Sequence, residues 1–238
     1  LGLNQKKKLI RQGILGASFF TGLCVVVSNS RGALLSLLMI LGMSFMRKGT
    51  KRFRNLATLM VGIPMLIPFI PQYAIDRMST IELGAEQTEP SANSRTILMK
   101  AGWAGGVDNP VLGLGVGCWA PNATRYIPGG KPMGDGALEP HSVWAKIPAE
   151  LGFIGLGAYL LMFCRIFIAL RKMQKSCLRR KRVKHYNFSY MMLLSLMGYC
   201  SAGTFGNQIY SEYMFLIIAT SGSLLDLWRA GRLEKENI

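Results

Sequence analysis

Residues 141–170 read HSVWAKIPAELGFIGLGAYLLMFCRIFIAL. From residue 151 to residue 170 the stretch carries a single Asp, Glu, Lys or Arg, which is Arg165. A bilayer core is crossed by about 20 apolar residues of helix, so this run predicts a transmembrane span. Arg165 falls near its far end, where a long side chain snorkels to the interface. His141 stands just before the run. An ionisable side chain at the edge of a span is a functional candidate before it is a structural one.

The same kind of apolar run recurs on both sides of this stretch. Six segments read as helical spans: residues 9–27, 33–46, 56–75, 151–170, 188–205 and 213–228. The second and sixth are short and must stand nearly upright or borrow flanking residues. Pro64, Pro68 and Pro71 each remove a backbone donor from the third, which predicts a kink. The expected fold class is therefore all-α: a polytopic integral membrane helix bundle with about six transmembrane helices and one long external loop. Three parts follow: N-terminal spans in 1–75, an external segment in 76–150, and C-terminal spans with a cytoplasmic tail in 151–238.

Half of the residues are hydrophobic, yet the formal net charge is +16. A soluble nucleic-acid binder would place basic residues among aromatics on a folded polar surface, and the chain offers no such surface. A membrane protein reconciles the two numbers, because Lys and Arg gather in short connections between spans. Of the 28 Lys and Arg, the six-span topology puts twenty-one on one side, including the dense run at 171–184, and seven on the other. The basic excess marks the cytoplasmic face. Both termini are thus expected inside, and Arg31, Arg95 and His141 share the external face. The chain opens Leu-Gly-Leu-Asn, without Met or a secretory cleavage site, and reads as the C-terminal part of a longer protein or an alternative start. Cysteine and histidine spacing offers no metal pattern, so neither a structural metal nor a cofactor is expected.

The external segment is rich in Gly, Pro, Asn and Thr. Residues 81–93, with Glu82, Glu86 and Glu89, read as a flexible surface stretch. Residues 95–107 read as a short amphipathic helix, either on the membrane surface or packed against the spans, closed by Gly102, Gly105 and Gly106. Gly113, Gly115 and Gly117 alternate in the following stretch. Two readings stand for them: backbone amides turned toward an anion, or close packing over the helices. Trp119, Tyr126 and Trp144 are either interfacial anchors or platforms for a sugar face. His185, inside the cytoplasmic basic run, reads as a solvated bystander.

His141-Ser142, nine further residues, and Gly152-Phe-Ile-Gly155 form a spacing that resembles the signature of the O-antigen ligase and polymerase superfamily. These are membrane glycosyltransferases whose donor is a polyprenyl-diphosphate-linked glycan. Ser30-Arg31-Gly32 at the entry to the second span resembles a second element of that pattern. Asn93-Ser94-Arg95, followed by Asn109-Pro-Val-Leu-Gly113-Leu-Gly115, resembles a third.

The resemblance implies a metal-independent, inverting enzyme of the bacterial inner membrane, multi-pass, with its site on the periplasmic face. It implies His141 as catalytic base and Arg31 and Arg95 as ligands of the diphosphate; Glu139, Glu150 and Trp144 are candidate supports by their place in the sequence. The residue types suit those tasks. A neutral imidazole accepts a proton near pH 7, and an arginine fork binds phosphate oxygens while staying charged. Glu139 and Glu150 flank His141 in the sequence, where each either orients the imidazole or faces water. The implied partners are an undecaprenyl-diphosphate-linked glycan donor, a lipid A-core, glycan or protein acceptor, and membrane lipids, without nucleic acid. O-antigen ligation leads, with repeat-unit polymerisation and protein O-oligosaccharyl transfer as alternatives. A transporter is the alternative from another class; against it, the first and last three spans show no internal repeat.

Overall fold

The computed structural model describes residues 8–28, 30–45, 90–129 and 139–231. The expected third span at 56–75, with its prolines, and Glu82, Glu86 and Glu89 lie outside the described residues. Among the described residues the secondary structure is helix and turn, with no strand. The chain divides into two compact units, residues 1–86 and 87–238.

In the first unit, α1 (Lys8–Val27) and α2 (Arg31–Phe45) form a hairpin with bounds within two residues of those read from the apolar runs. Hydroxyls inside these helices are turned back onto their own backbone. Ser18, Thr21 and Ser36 donate to the carbonyls of Ile14, Ala17 and Gly32, each at 2.8 Å. A polar side chain satisfied in this way adds no bare donor to an apolar helix surface. Ser30 caps α2: its hydroxyl accepts from the Ala33 N–H at 3.3 Å and its carbonyl from the Leu34 N–H at 3.0 Å. The serine of Ser30-Arg31-Gly32 thus has a local structural task.

The second unit is organised by one long helix. It contains α3 (Pro90–Asp108), the short α4 (Trp119–Asn122), a 3-10 turn at Ala123–Arg125, then α5 (Val143–Arg179), α6 (Val183–Thr204) and α7 (Glu212–Arg229). α5 packs against α3, α6 and α7. Between α5 and α6 the packing is aromatic. Trp144 meets Tyr159 edge-on at 6.1 Å, Tyr159 lies 4.7 Å from Phe163, and Phe163 stacks on Tyr199 at 5.8 Å. The Tyr159 hydroxyl donates to that of Tyr199, which donates to the Gln208 carbonyl at 2.8 Å, so the buried phenols are bonded in series.

Several expectations are corrected. α5 starts eight residues before the expected span, at Val143, so the boundary drawn at residue 150 falls inside a helix. The backbone of residues 90–93 is helical and opens α3, where an irregular flexible stretch was expected. Gly102, Gly105 and Gly106 do not end that helix but form its docking face. A Cβ at Gly102 would sit 3.1 Å from the Ala145 carbonyl oxygen, and one at Gly106 would sit 2.8 Å from the Pro148 Cβ. Small residues here let the backbones of α3 and α5 approach, which composition alone disguises as helix breaking.

Of the spans, α5 is the one described helix both long and apolar enough to cross a membrane, and only 17% of its most apolar window is buried inside the protein. The core helix of a soluble protein would be mostly covered. α2 is apolar but shorter, over Gly32–Ser44. The six-span count is thus matched by α5 alone on length and composition. α1, α6 and α7 carry charged and hydroxylated residues that dilute their apolar length.

α5 is broken at Gly152, whose φ of 67° and ψ of −173° are open essentially to glycine alone. The break frees the Ala149 and Glu150 carbonyls. A loop takes them: the Leu114 N–H donates to Ala149 at 2.8 Å and the Gly115 N–H to Glu150 at 3.0 Å, while the Phe153 N–H reaches back to the Pro110 carbonyl at 2.7 Å. The loop glycine Gly113, at φ 67°, lies so close that a Cβ would stand 2.6 Å from the Leu151 nitrogen. Close packing is therefore the role of Gly113. Gly152→Ala places a Cβ against the Val111 carbonyl and in a backbone region costing about 1–3 kcal/mol, so it should undock the loop. Limited proteolysis at residues 109–117 and thermal unfolding in micelles will register the loss. Gly157→Ala, with open space around its Cβ, should be unchanged or slightly more stable in the same assays.

Candidate active site

The turn that precedes α5 sets the position of His141. Pro140 is fully buried and Ser142 is 2% exposed, so the residues on either side are clamped. His141 between them has φ 48°, a left-handed conformation rare for a side chain with a Cβ and costing roughly 1–2 kcal/mol. Ser142 then begins the helix, its carbonyl accepting from the Lys146 N–H at 3.0 Å. A strained residue clamped by its neighbours is a common mark of a functional position.

The electrostatic surroundings of the imidazole come from α3 and from its own turn. Burial lowers the His141 pKa below its ordinary 6.5, and the Arg95 guanidinium lowers it further, while the Glu139 carboxylate pulls the other way. All three effects have a plain cause: desolvation and a neighbouring cation disfavour imidazolium, and an anion favours it. His141 is thereby kept neutral and able to accept a proton at pH 7. Arg95 is exposed on α3, leaving its fork open to a ligand.

Glu150 is buried while the Glu139 side chain stays 23% exposed; among the described residues neither bonds the imidazole, and both are tied to Lys146. The Lys146 ammonium donates to Glu139 at 2.9 and 3.1 Å and stands 3.8 Å from Glu150. Lys146 and Glu150 keep only 6% and 1% of their surface exposed. Buried charges persist only when paired and hydrogen-bonded, and this set is completed from the connection between α6 and α7. The Asn207 amide donates to Glu139 at 2.6 Å, and the Tyr210 hydroxyl donates to Glu150, which also accepts from the Trp119 N–H at 3.4 Å. Burial and the Glu150 carboxylate raise the Tyr210 phenol out of the titrating range, so it remains a donor. Lys146 also sits 5.4 Å over the Tyr210 ring.

One unit thus contains His141, Arg95, Glu139 and Glu150. Trp144 lies on the α6 side, its indole N–H donating to the Thr204 hydroxyl at 3.0 Å. Arg31 is the first residue of α2, in the other unit. Trp119 is fully buried and stacked on Tyr126 at 5.9 Å, so it is neither an interfacial anchor nor a sugar platform. His185 is half-buried with its Nδ1 enclosed and without a hydrogen bond, not a solvated bystander.

Sequence reading missed Lys146, Asn207 and Tyr210. Lys146 and Glu150 are four residues apart on a helix, a spacing that signals an ion pair. Asn207 and Tyr210 lie some sixty residues further on, in a short polar connection with no local signal.

Neither curated proteins nor solved structures gave a match to the chain. A family model did: residues 16–160 match the one described as O-antigen ligase. The matched stretch runs from α1 through α2 and α3 to the kinked part of α5, and it contains Arg31, Arg95, His141 and the Gly152 break. Members of that family are bacterial inner-membrane proteins with activity of the O-antigen ligase or polymerase type. A match over more than half of the 238 residues carries the conclusion that this chain belongs to the O-antigen ligase family.

Proposed function

We propose that the protein is a metal-independent, inverting glycosyltransferase of the inner membrane. It would move a glycan from undecaprenyl diphosphate to an acceptor hydroxyl on the periplasmic side. The observations that carry the reading are the family match over residues 16–160 and the strained turn that holds His141 between buried Pro140 and Ser142; burial and the Arg95 charge lower the pKa of its imidazole. His141 takes the proton of the acceptor hydroxyl as that oxygen attacks the anomeric carbon. The bond from the anomeric carbon to the phosphate oxygen breaks, and undecaprenyl diphosphate leaves with the electron pair. Arg95 stabilises the charge that grows on the diphosphate, and Arg31, of the Ser30-Arg31-Gly32 element, is a second candidate ligand of that group on the family resemblance. Attack opposite the leaving group inverts the centre. The 21-to-7 division of Lys and Arg supports a periplasmic site.

The test is incubation of the reconstituted protein with an undecaprenyl-diphosphate glycan and three acceptors: lipid A-core, a second lipid-linked repeat unit, and a serine-bearing protein. One addition to lipid A-core is the expected product. A ladder of lengths would reassign the chain as a polymerase, and glycan on the protein as an oligosaccharyltransferase. In the same assay Arg95→Lys should keep part of the turnover and Arg95→Ala less, because lysine retains the charge but not the fork. The loss should appear at saturating donor, where only interactions strengthening in the transition state count. Full turnover in Arg95→Ala would remove it from the diphosphate.

A further inference from the structure

α3 has two apolar faces, and among the described residues only one is buried. Leu98, Ala101 and the glycine face pack inward. On another face Met99, Trp103 and Val107 follow one another at four-residue spacing and remain 37%, 38% and 63% exposed. The stripe continues past the helix end into the loop, where Val111, Leu112 and Val116 are 57%, 73% and 65% exposed. The loop is not free to hide them, because main-chain hydrogen bonds pin it to the Gly152 break and the Gly113 N–H is bonded to the Asn109 carbonyl at 3.0 Å.

Two further observations say what covers this surface. Between Asp108 and Arg125 the chain has no charged residue. The stripe is also continuous with the start of the membrane-crossing part of α5: the Trp103 ring lies 6.3 Å from that of Phe153, and Ile154 beside it is 62% exposed. A rigid, uncharged loop with large aliphatic tips, joined to the first lipid-facing turn of a span, is chemically matched to acyl chains at the bilayer interface.

We propose that Val111, Leu112 and Val116 insert into the acyl region of the leaflet, with Met99, Trp103 and Val107 resting on it, as a membrane-insertion loop that seats α3 and the turn bearing His141 at the lipid surface. The inference rests on α5 crossing the membrane and not on the transfer reaction.

The probe is a bilayer nanodisc whose phosphatidylcholine acyl chains carry bromine, a contact quencher of indole. Leu112→Trp and Val116→Trp alter exposed tips, and Arg125→Trp serves as the polar-side control. Relative to the unsubstituted protein, the added emission at 112 and 116 should be blue-shifted and lost on acyl bromination, with that at 125 unaffected. Emission at 112 and 116 that is red, unquenched by bromine and quenched by aqueous iodide would overturn the insertion. So would blue emission that ignores bromine and depends on the protein-to-lipid ratio, which would assign the surface to a second copy of the chain. Neither result would alter glycan transfer measured in parallel, so failure of this proposal is separable from failure of the proposed activity.

Discussion

Replacing His141 with alanine is expected to leave the protein inserted and folded and to lower glycan transfer by about 10²–10⁴, the usual worth of a positioned general base. The side chain is only half-buried and bonds no other described side chain, so folding has little to lose. Removal of a β-carbon-bearing residue at φ 48° is not part of the change, which isolates the imidazole from the strain of the turn. The pH profile gives a second, independent signature. Because burial and Arg95 hold the His141 pKa below 6.5, the base stays neutral into mildly acidic solution, and the acid limb of kcat/KM should fall below that value. Arg95→Ala removes a cation and should move the limb up; Glu139→Gln removes an anion and should move it down. A His141→Ala enzyme turning over at the normal rate, or a limb that ignores both neighbours, would end the base assignment while leaving the family membership untouched.

The second large effect is on stability. Lys146→Met leaves two carboxylates, Glu139 and the fully enclosed Glu150, without their cation. Breaking a buried ion pair by removing one partner costs about 3–5 kcal/mol, so the variant should unfold at markedly lower urea in micelles. The double variant Lys146→Met with Glu139→Gln should recover part of the loss, since a neutral amide in place of the anion still bonds Asn207. If the single variant matches the unsubstituted protein in urea midpoint, Lys146 is not what holds the carboxylates in place.

The helices α1, α2, α6 and α7 were legible because apolar runs are read directly from composition, and their ends came within five residues, although only α5 is long and apolar enough among the described helices to cross a membrane. The start of α5 was not legible. Residues 143–150 include Lys146, Pro148 and Glu150, which look like loop until Lys146 and Glu150 are seen to be partnered across the helix. The glycines of α3 misled in the same way: a residue without a side chain signals either a stop or a close approach, and only the neighbour at Ala145 or Pro148 decides. For the site, the signature brought His141 and Arg95 to notice, and the fold sets them in one unit. Asn207 and Tyr210 reach the site through tertiary folding, so nothing in their own neighbourhood announces them.

The tie between residues 207–210 and Glu139 and Glu150 also orders the chain in time. Ribosomal synthesis delivers α3, the glycine loop and α5 well before the α6–α7 hairpin. The loop can dock on the Gly152 break as soon as α5 exists, using main-chain bonds already synthesised. Asn207 and Tyr210 arrive after both. Until then Glu139 lacks the Asn207 amide and Glu150 the Tyr210 hydroxyl, although the Trp119 N–H is already there to donate to Glu150. A nascent chain therefore completes the hydrogen-bonded set around Lys146 only once the α6–α7 connection has been made, which makes that set a late event in biogenesis rather than a property of the signature-bearing segment by itself.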